Sequence, residues 1–462
     1  MEKPAFWVLA CFFAFSTFAF GCMEGWSITV CECILFVGAA VAGRRNPDFW
    51  RFPILLRLPA LVVSVFLVVG LVQLIPLPTS AWSVLDDDRG EMEVRAVQSE
   101  ALLRSEAYRE HSFYPGTVNA SEQGWETFPT GSGWKTASFT LWDTLRALVA
   151  LLAVGALLLL LENMVSSDRR TFYRLAWFVS LCGAAAAAIA LIQHGDADRE
   201  KILWLRESAY AARTFGPFVN ANHGQAFVNL TLPLLYFLLW RRSLRTHHLS
   251  ERLGALFILL ALLILHLVLF LNRESEGAFL GLAFLALAGI LHAGYRWRPV
   301  FKGIAAVLTA SLLGGAGWLA WNGLLTSHNR MQFNANMPFD HWMIGRGLGS
   351  FPQTYPAVVS DWPLFDSLFN SHLENEYLQA FFEGGILPAG ALIVAAALVL
   401  WTCYEAVTLP GPSFWIAAAL ASETVRVTVD FSFHAFPVAG VFLLLWMMIR
   451  REVDMAHEEG MT

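Results

Sequence analysis

Charged residues are scarce in this sequence. They make up 15% of the 462 residues, whereas hydrophobic residues make up 56% and include 36 Phe and 18 Trp. A soluble fold cannot bury so much apolar surface. The apolar runs at 141–161 and 254–271 have about the length, ~17–25 residues, that crosses the hydrocarbon core of a bilayer. Composition therefore excludes a soluble globular protein and predicts an all-α, polytopic membrane protein.

Cysteine is also rare, and its placement is informative. All six cysteines lie in or beside apolar runs, and none lies in the two long polar loops where an extracytoplasmic disulfide would help. We interpret Cys31 and Cys33 as helix-packing residues rather than a metal pair. Asp86-Asp87-Asp88 resembles a metal-binding Asp-x-Asp, but we interpret it as a solvated turn.

Two further features are absent. The apolar segment 5–22 is followed at once by Glu24 and a second apolar run, without a clear cleavage site of small residues. It is therefore predicted to be the first span and not a removed signal peptide. No convincing internal repeat is present, so the inverted repeat of many transporters is not seen.

The apolar runs predict about twelve spans, with alternate connections rich in arginine and lysine. The basic connections fall on one face, which the positive-inside rule makes cytoplasmic, so both termini are predicted to be inside. The spans are predicted at 5–22, 25–42, 54–75, 141–161, 175–193, 222–240, 254–271, 278–295, 303–321, 381–402, 413–431 and 435–449.

This topology divides the chain into five parts and places the chemistry on the outer face. Spans one to three occupy 1–76 and spans four to nine occupy 141–321, and the last three spans with a cytoplasmic tail occupy 381–462. Two outer loops lie between them, at 77–140 and 322–380. The second loop precedes the tenth span and carries the best catalytic candidate.

The segment before the sixth span contains Arg213, Asn220, Asn222 and His223. Arg213 can bind a phosphate, and the other three offer hydrogen bonds at a helix N-terminus, whose dipole favours anions. The alternative is that Asn220 or Asn222 only caps the helix and that the His223 side chain snorkels to the interface.

Three more cations lie in outer segments. Arg273 is in a tight turn, where it can bind an anion or pair with Glu274 or Glu276. Arg330 and Arg346 are candidate anion ligands or ordinary loop residues. The glycines around Arg346 indicate close backbone packing or a tight turn; without a preceding strand they are no nucleotide fingerprint.

His372, at the mouth of the tenth span, is the best candidate for a catalytic residue. A histidine can take a proton from an attacking hydroxyl, and neighbouring carboxylates can orient it. Glu374 and Glu376 cannot both face His372 on a regular element, so at most one is predicted to be its partner. A structural histidine that caps the following helix is the alternative.

The eleventh span places Glu423, Arg426 and Asp430 on one helix face, because they are three and four residues apart. Mutual neutralisation is the default prediction for this group, and lining of the outer cavity is the alternative. His434 follows in the next outer turn and can approach the same cavity.

These segments resemble the O-antigen ligase and polymerase family of bacterial membrane glycosyltransferases. Arg213-Thr-Phe-Gly-Pro-Phe-Val-Asn-Ala-Asn-His223 is similar to the family's Arg-x-Phe-Gly-x-Phe-x-Asn-x-Asn-His stretch, and Gly345-Arg-Gly-Leu-Gly-Ser-Phe351 to its Gly-x-Gly-x-Gly-[Ser/Thr]-Phe. His372-Leu-Glu-Asn-Glu-Tyr-Leu-Gln379, with Glu383-Gly-Gly385, resembles the family's His-[x-Glu]-Asn-[Asp/Glu]-Tyr-Leu-Gln…Glu-x-Gly, and Asp430-Phe-Ser-Phe-His-Ala-Phe-Pro437 its penultimate outer turn. The motifs cover about residues 210–440.

The resemblance implies a GT-C-like architecture in the bacterial inner membrane with a periplasmic active site. It implies a transferase without metal or other cofactor that moves a glycan from undecaprenyl pyrophosphate to an acceptor hydroxyl. His372 would be the general base, and Arg213, Arg273 and Arg330 would bind the donor pyrophosphate. Residues in possible supporting positions are Asn220, Asn222, His223, Arg346, Glu374, Glu376, Tyr377, Arg426 and His434.

One departure from the family and two alternatives stay open. Family members often have Ser-Arg-Gly where this chain reads Ser275-Glu276-Gly277, so Arg273 would have to replace the usual arginine. A multi-pass transporter or a flippase for lipid-linked glycans is the alternative function. Within the transferase class the acceptor is a growing glycan, a lipid A core or a protein hydroxyl. The acidic loop at 77–140 and the absence of a large C-terminal outer domain slightly favour a polysaccharide polymerase. The bilayer is a further partner, and no nucleic acid is expected.

Overall fold

The computed structural model of the protein describes most of the chain. The described residues are 3–50, 57–78, 134–167, 169–195, 201–207, 214–246, 248–271, 276–296, 341–352, 354, 372–373 and 375–459. The first outer loop, the predicted span at 303–321 and most of the second outer loop lie outside them.

The described part is mostly helical. Its α-helices in chain order are α1 (Lys3–Phe18), α2 (Gly25–Arg45), α3 (Arg57–Gln73), α4 (Leu141–Ser167), α5 (Arg169–His194), α6 (Ala221–Arg245), α7 (Leu249–Leu271), α8 (Glu276–Arg296), α9 (Glu376–Gly384), α10 (Ile386–Thr408), α11 (Phe414–Arg426) and α12 (Phe436–Glu458). The strands are short and form two antiparallel pairs, β1 (Pro76–Pro78) with β2 (Trp134–Thr136) and β3 (Lys201–Ile202) with β4 (Arg206–Glu207). Short 3-10 turns lie at Phe20–Cys22, Pro47–Trp50 and Ser432–His434.

Five of the described helices are long and apolar enough to cross a membrane by length and composition. They are α2, α4, α5, α7 and α10, and the last two keep many large apolar side chains exposed. Such side chains are stable when they face lipid. These observations are consistent with the predicted all-α membrane protein. Every predicted span that falls on described residues overlaps one of the helices.

The tenth span differs from its prediction. A single helix is predicted at 381–402, but the chain forms the short helix α9 and then α10, with Gly385 between them. Gly385 has φ of +76°, which only glycine adopts without strain, and a Cβ there would lie 2.4 Å from the carbonyl oxygen of Met343. The helix therefore breaks at the point where another backbone segment crosses it.

Helix α6 lies at the centre of the bundle, in contact with α5, α7, α8, α11 and α12. Most of its side chains are buried, including the polar residues His223, Gln225 and Asn229. Its neighbour α11 packs on α6, α8 and α10. This packing fixes the N-terminus of α6 beside the end of α11, where several of the predicted site residues lie.

Candidate functional site

The candidate site lies at one end of the bundle, where the start of α6, the start of α9 and the α11–α12 turn meet. Asn220 caps α6, its side chain accepting a hydrogen bond from the Asn222 amide at 2.8 Å. Asn375 caps α9 in the same way, with bonds of 3.0 Å from the amides of Tyr377 and Leu378. Two helix N-termini are therefore held at this end. The capping role predicted as an alternative for the asparagines applies to Asn220.

Three histidines surround the Phe431 ring in the α11–α12 turn. His372 stacks on Phe431 with ring centroids 4.9 Å apart and planes only 5° from parallel. His223 meets the same ring edge-on at 5.0 Å. His434 lies 4.2 Å from His372, measured between ring centroids. Phe431 is thus a platform that fixes the plane of the His372 imidazole.

His434 pairs with a carboxylate in this cluster. Its Nδ1 lies 3.2 Å from Oε1 of Glu376. The same oxygen accepts a hydrogen bond from the amide of Phe433 at 2.9 Å. Glu376 begins α9, and its own amide donates to the Val427 carbonyl at 3.0 Å. Glu376 is thus linked to His372 through the His434 ring, and the prediction that Glu374 or Glu376 is a direct partner of His372 stays a prediction.

Gln379 connects the parts of the cluster. Its Nε2 donates to Oε1 of Glu383 at 3.0 Å and lies 3.3 Å from Nε2 of His434. Its Oε1 accepts from the amide of Leu373 at 3.1 Å, which holds the chain next to His372. Nδ1 of His434 thus faces the Glu376 carboxylate, while its Nε2 lies against the Gln379 amide.

The electrostatic surroundings separate the two histidines. Desolvation by the surrounding protein lowers the pKa of His372 well below its usual value, and the nearby His434 and His223 lower it further. Desolvation also acts to lower the pKa of His434, but the charge and hydrogen bond of Glu376, with the charge of Glu383, raise it more. The pKa of His434 therefore lies above the usual histidine value. His372 is thus neutral at neutral pH, as a base must be.

His223 is fully buried at the first turn of α6. Neither of its ring nitrogens makes a hydrogen bond of good geometry to a described residue. A buried polar group of this kind costs free energy. Its contact in this site is the edge of Phe431, so the ring helps to hold the platform on which His372 lies.

Arg426 is the last residue of α11 and is neutralised by one carboxylate on that helix and one in the turn that follows it. Its Nε and Nη2 donate to the two carboxylate oxygens of Glu423 at 3.0 and 3.1 Å, and Nη1 donates to Asp430. Nη1 also donates to the carbonyl of Asn222 at 3.3 Å, which ties α11 to the start of α6. The hydroxyl of Ser432 donates to Glu423. The predicted mutual neutralisation is confirmed by these ion pairs.

The glycine-rich segment packs behind the site. Gly345, Gly347 and Gly349 all have positive φ, and a Cβ at Gly345 would lie 2.3 Å from the Glu383 carbonyl oxygen. The Glu383 carboxylate accepts from the amides of Gly349 and Phe351 at 2.8 and 3.2 Å. The glycines therefore serve tight turns and close packing, which was the interpretation from sequence.

Arg346 is buried within this segment. Its guanidinium carbon lies 4.4 Å from the centroid of the Phe382 ring, and its amide donates to the Phe382 carbonyl at 3.0 Å. Gln73 from α3 braces the same region, since it donates to the carbonyls of Ile344 and Glu383 at 2.6 and 2.7 Å. Arg346 thus packs against α9 through Phe382. Its role as an anion ligand stays a prediction.

The remaining predicted residues divide into two groups. The hydroxyl of Tyr377 donates to the Thr424 carbonyl at 3.0 Å, which joins α9 to α11. Arg213, Arg273, Arg330 and Glu374 lie outside the described residues. The structure thus brings together His372, Glu376, His434, His223 and Arg426. In the described part of the chain, no group of His, Cys, Asp and Glu residues is arranged to hold a metal ion.

Phe431, Gln379 and Glu383 belong to the sequence motifs, but the sequence alone predicts no role for them. Two of them have long-range partners 32 to 55 positions away, since Glu383 bonds to Gly349 and Phe351, and Gln379 to His434. The only local signal was the four-residue spacing of Gln379 and Glu383 on one helix face.

No family model matches the chain, and no curated protein is significantly similar to it.

Proposed function

We propose that the protein is a membrane glycosyltransferase of the O-antigen ligase or polymerase type. It moves a glycan from undecaprenyl pyrophosphate to an acceptor hydroxyl at the periplasmic face of the bacterial inner membrane. The observation that carries the proposal is the placement of His372, which is neutral, stacked on Phe431 and in contact with a histidine–carboxylate pair. That arrangement is suited to accepting one proton.

In the proposed reaction the acceptor oxygen attacks the anomeric carbon of the donor sugar. The bond from that carbon to the pyrophosphate oxygen breaks, and the acceptor proton passes to His372. The pyrophosphate leaves with the bonding electrons, and Arg213, Arg273 and Arg330 are proposed to stabilise its charge. No metal is needed for this step, because arginines can neutralise a pyrophosphate. Arg273 stands in for the arginine that the family usually has at the position of Glu276.

The proposed architecture has about twelve spans in a GT-C-like arrangement, with both termini in the cytoplasm. The two outer loops, 77–140 and 322–380, are then periplasmic. The helices found at the predicted positions support this architecture. The meeting of His223, His372 and His434 at one end of the bundle also supports it. The bilayer and the lipid-linked donor are the proposed partners. The acceptor is a growing glycan, a lipid A core or a protein.

A transporter or flippase is supported less well. Its coupling residues would be the charges within the bundle, at Glu423, Arg426 and Asp430. These three side chains are buried, Arg426 bonds to both carboxylates, and the cluster bonds further to Ser432 and to the Asn222 carbonyl. The cluster therefore resembles a structural ion-pair network more than a substrate cavity.

The decisive experiment uses purified full-length protein and an undecaprenyl-pyrophosphate-linked glycan with a chelator. Mass spectrometry of the products should show the glycan on an acceptor and free undecaprenyl pyrophosphate. His372→Ala should abolish transfer, a loss of at least about 10²-fold for a general base, while expression and thermal unfolding stay near those of the wild type.

A suitable control is His248→Ala, since His248 is an exposed residue at the start of α7. That variant should keep full activity. Full activity of His372→Ala would contradict the assignment of the base, and a requirement for added metal would contradict the mechanism.

A further inference from the structure

Two cysteines are in contact at the turn between α1 and α2. The thiol of Cys22 donates a hydrogen bond to Sγ of Cys31, with 3.2 Å between the sulfurs. Both residues are completely buried. Cys22 ends the 3-10 turn that follows α1, and Cys31 lies in the second turn of α2. The hairpin therefore brings together two thiols that are nine residues apart.

The backbone of this turn has an uncommon conformation that points Cys22 inward. Phe20, Gly21 and Cys22 are consecutive residues in the left-handed region, with φ of 59°, 68° and 57°. Side-chain-bearing residues rarely adopt this region, so the surrounding packing must hold the turn in place. A capping box of Glu24 and Ser27 begins α2 directly after it. The contact between the two sulfurs therefore depends on the conformation of this turn.

The turn lies at the same end of the bundle as the histidine cluster. A Cβ on Gly21 would lie 2.4 Å from the ring of Phe218, which precedes the Asn220 cap of α6. The charge pattern of the sequence predicts that this end faces the extracytoplasmic side. Disulfides form and persist on that side of a bacterial membrane.

We propose that Cys22 and Cys31 form an intrachain disulfide that closes the α1–α2 hairpin beside the candidate site. The proposal is independent of the glycosyltransferase reaction and requires only that this end faces an oxidising compartment. The sulfurs need to approach by about 1.2 Å to reach the disulfide bond length.

The bond forms by thiol–disulfide exchange with a disulfide-bearing oxidoreductase of that compartment. One cysteine thiolate attacks the donor disulfide to give a mixed disulfide, and the second thiolate displaces the donor. The donor leaves as a dithiol, having taken up two electrons, and the two thiol protons are released or transferred to it. Exchange precedes closure of the bundle, because both sulfurs are inaccessible in the folded protein.

Counting free thiols tests the proposal. Thiol exchange in cells that express the full-length protein is stopped with acid, and the protein is unfolded in SDS. Its free thiols are then alkylated with a maleimide that adds a fixed mass, with or without prior reduction. Wild type should take up four labels without reductant and all six after reduction, since the disulfide blocks two of its six cysteines. Six labels without reductant would overturn the proposal.

Two variants identify the pair. Cys22→Ser should release Cys31, so that all five remaining cysteines are labelled without reductant. Cys33→Ser is the matched control, because Cys33 is two residues from Cys31 on α2 but is exposed. It should keep two blocked thiols; release of those thiols would show that Cys33 is a member of the pair and would overturn the assignment.

Thermal unfolding and glycan transfer are measured separately from the thiol count. Thermal unfolding of the wild type should depend on added reductant, and the double variant Cys22→Ser/Cys31→Ser should show no such dependence. A failed glycan-transfer assay leaves the thiol count unchanged, and a failed thiol count leaves the transfer assay unchanged, so the two proposals can be rejected independently.

Discussion

His434 occupies the position between a carboxylate and the proposed base. It contacts Glu376 through Nδ1 at 3.2 Å and His372 ring to ring at 4.2 Å. Because Glu376 keeps His434 protonated more readily, positive charge is held next to His372. That charge disfavours protonation of His372 and keeps the base free at lower pH. His434 is therefore proposed as a positioning residue, and Glu376 acts on His372 through it.

The charge coupling predicts a shift in the pH profile of transfer. The pKa of His372 lies below the usual value, so the acidic limb of kcat/KM for wild type should lie below about pH 6.5, the usual histidine value. His434→Gln removes the neighbouring positive charge, so the pKa of His372 should rise and the limb should move to higher pH. Initial rates from pH 4.5 to 8 measure the shift.

Glu376→Gln offers a second route to the same shift. Without the carboxylate the pKa of His434 falls, His434 becomes neutral, and the acidic limb should again move upward. Because both changes act through one charge, the double variant should show no larger shift than His434→Gln alone. Reduced rates with an unmoved limb would mean that the pair has only a structural role.

Arg426 provides a second test with single residues. Arg426→Ala leaves Glu423 and Asp430 buried without their shared cation, which should cost about 3–5 kcal/mol of unfolding free energy. Arg450→Ala is the control, because Arg450 pairs with Asp454 on a helix surface where both side chains are about one-third exposed; that change should cost under about 1 kcal/mol. Unfolding in detergent by denaturant compares the two. Equal losses would contradict a structural ion-pair network.

At the scale of elements, the glycine-rich segment and α9 form one unit. Gly345 must have positive φ, and its backbone lies against the Glu383–Gly384 peptide. Gly345→Ala should therefore both strain the turn and separate it from α9, with a loss of about 1–3 kcal/mol. Differential scanning fluorimetry measures the loss as a lower unfolding temperature.

Gly390→Ala is the matched control for that prediction. Gly390 lies within α10, and a Cβ there would meet nothing within 4 Å. Alanine is a better helix former than glycine, so this change should leave stability equal or raise it by up to about 1 kcal/mol. If Gly345→Ala behaved in the same way, the segment would not be packed against α9 as described.

At the scale of the whole molecule, topology is the property that the proposed function needs most. The turn between β3 and β4 should be periplasmic and the end of α12 cytoplasmic. Leu205 is 80% exposed, and His457 is exposed near the end of α12. In a cysteine-free background, Leu205→Cys should react with a membrane-impermeant maleimide in cells with permeabilised outer membranes. His457→Cys should react only after lysis, and the reverse pattern would place the candidate site in the cytoplasm.

Charged and polar contacts join the helices at the end of the bundle opposite the histidine cluster. Glu452 on α12 pairs with Arg241 on α6 at 2.6 Å and also accepts a hydrogen bond from Tyr173 on α5 at 2.7 Å. These contacts join three helices at the end opposite the histidine cluster. The bundle is thus fastened by charges at one end, while the other end carries the histidine cluster.

The sequence by itself determined the properties that depend on near neighbours. Apolar runs of sufficient length predicted the helices and their order, and three- and four-residue spacing predicted that Glu423, Arg426 and Asp430 would pair. The best catalytic candidate, His372, also came from the sequence, although its role stays a prediction. Local patterns are enough in these cases because the interacting groups lie on one helix or in one segment.

Tertiary structure alone decided which distant groups meet. Glu376 lies four positions after His372, yet its side chain contacts His434, which is 58 positions away. Phe431 becomes the platform of the site only because α11 packs against the start of α6. The break at Gly385 likewise depends on a backbone segment from another part of the chain. Such contacts follow from how the helices pack, and spacing along the sequence does not encode them.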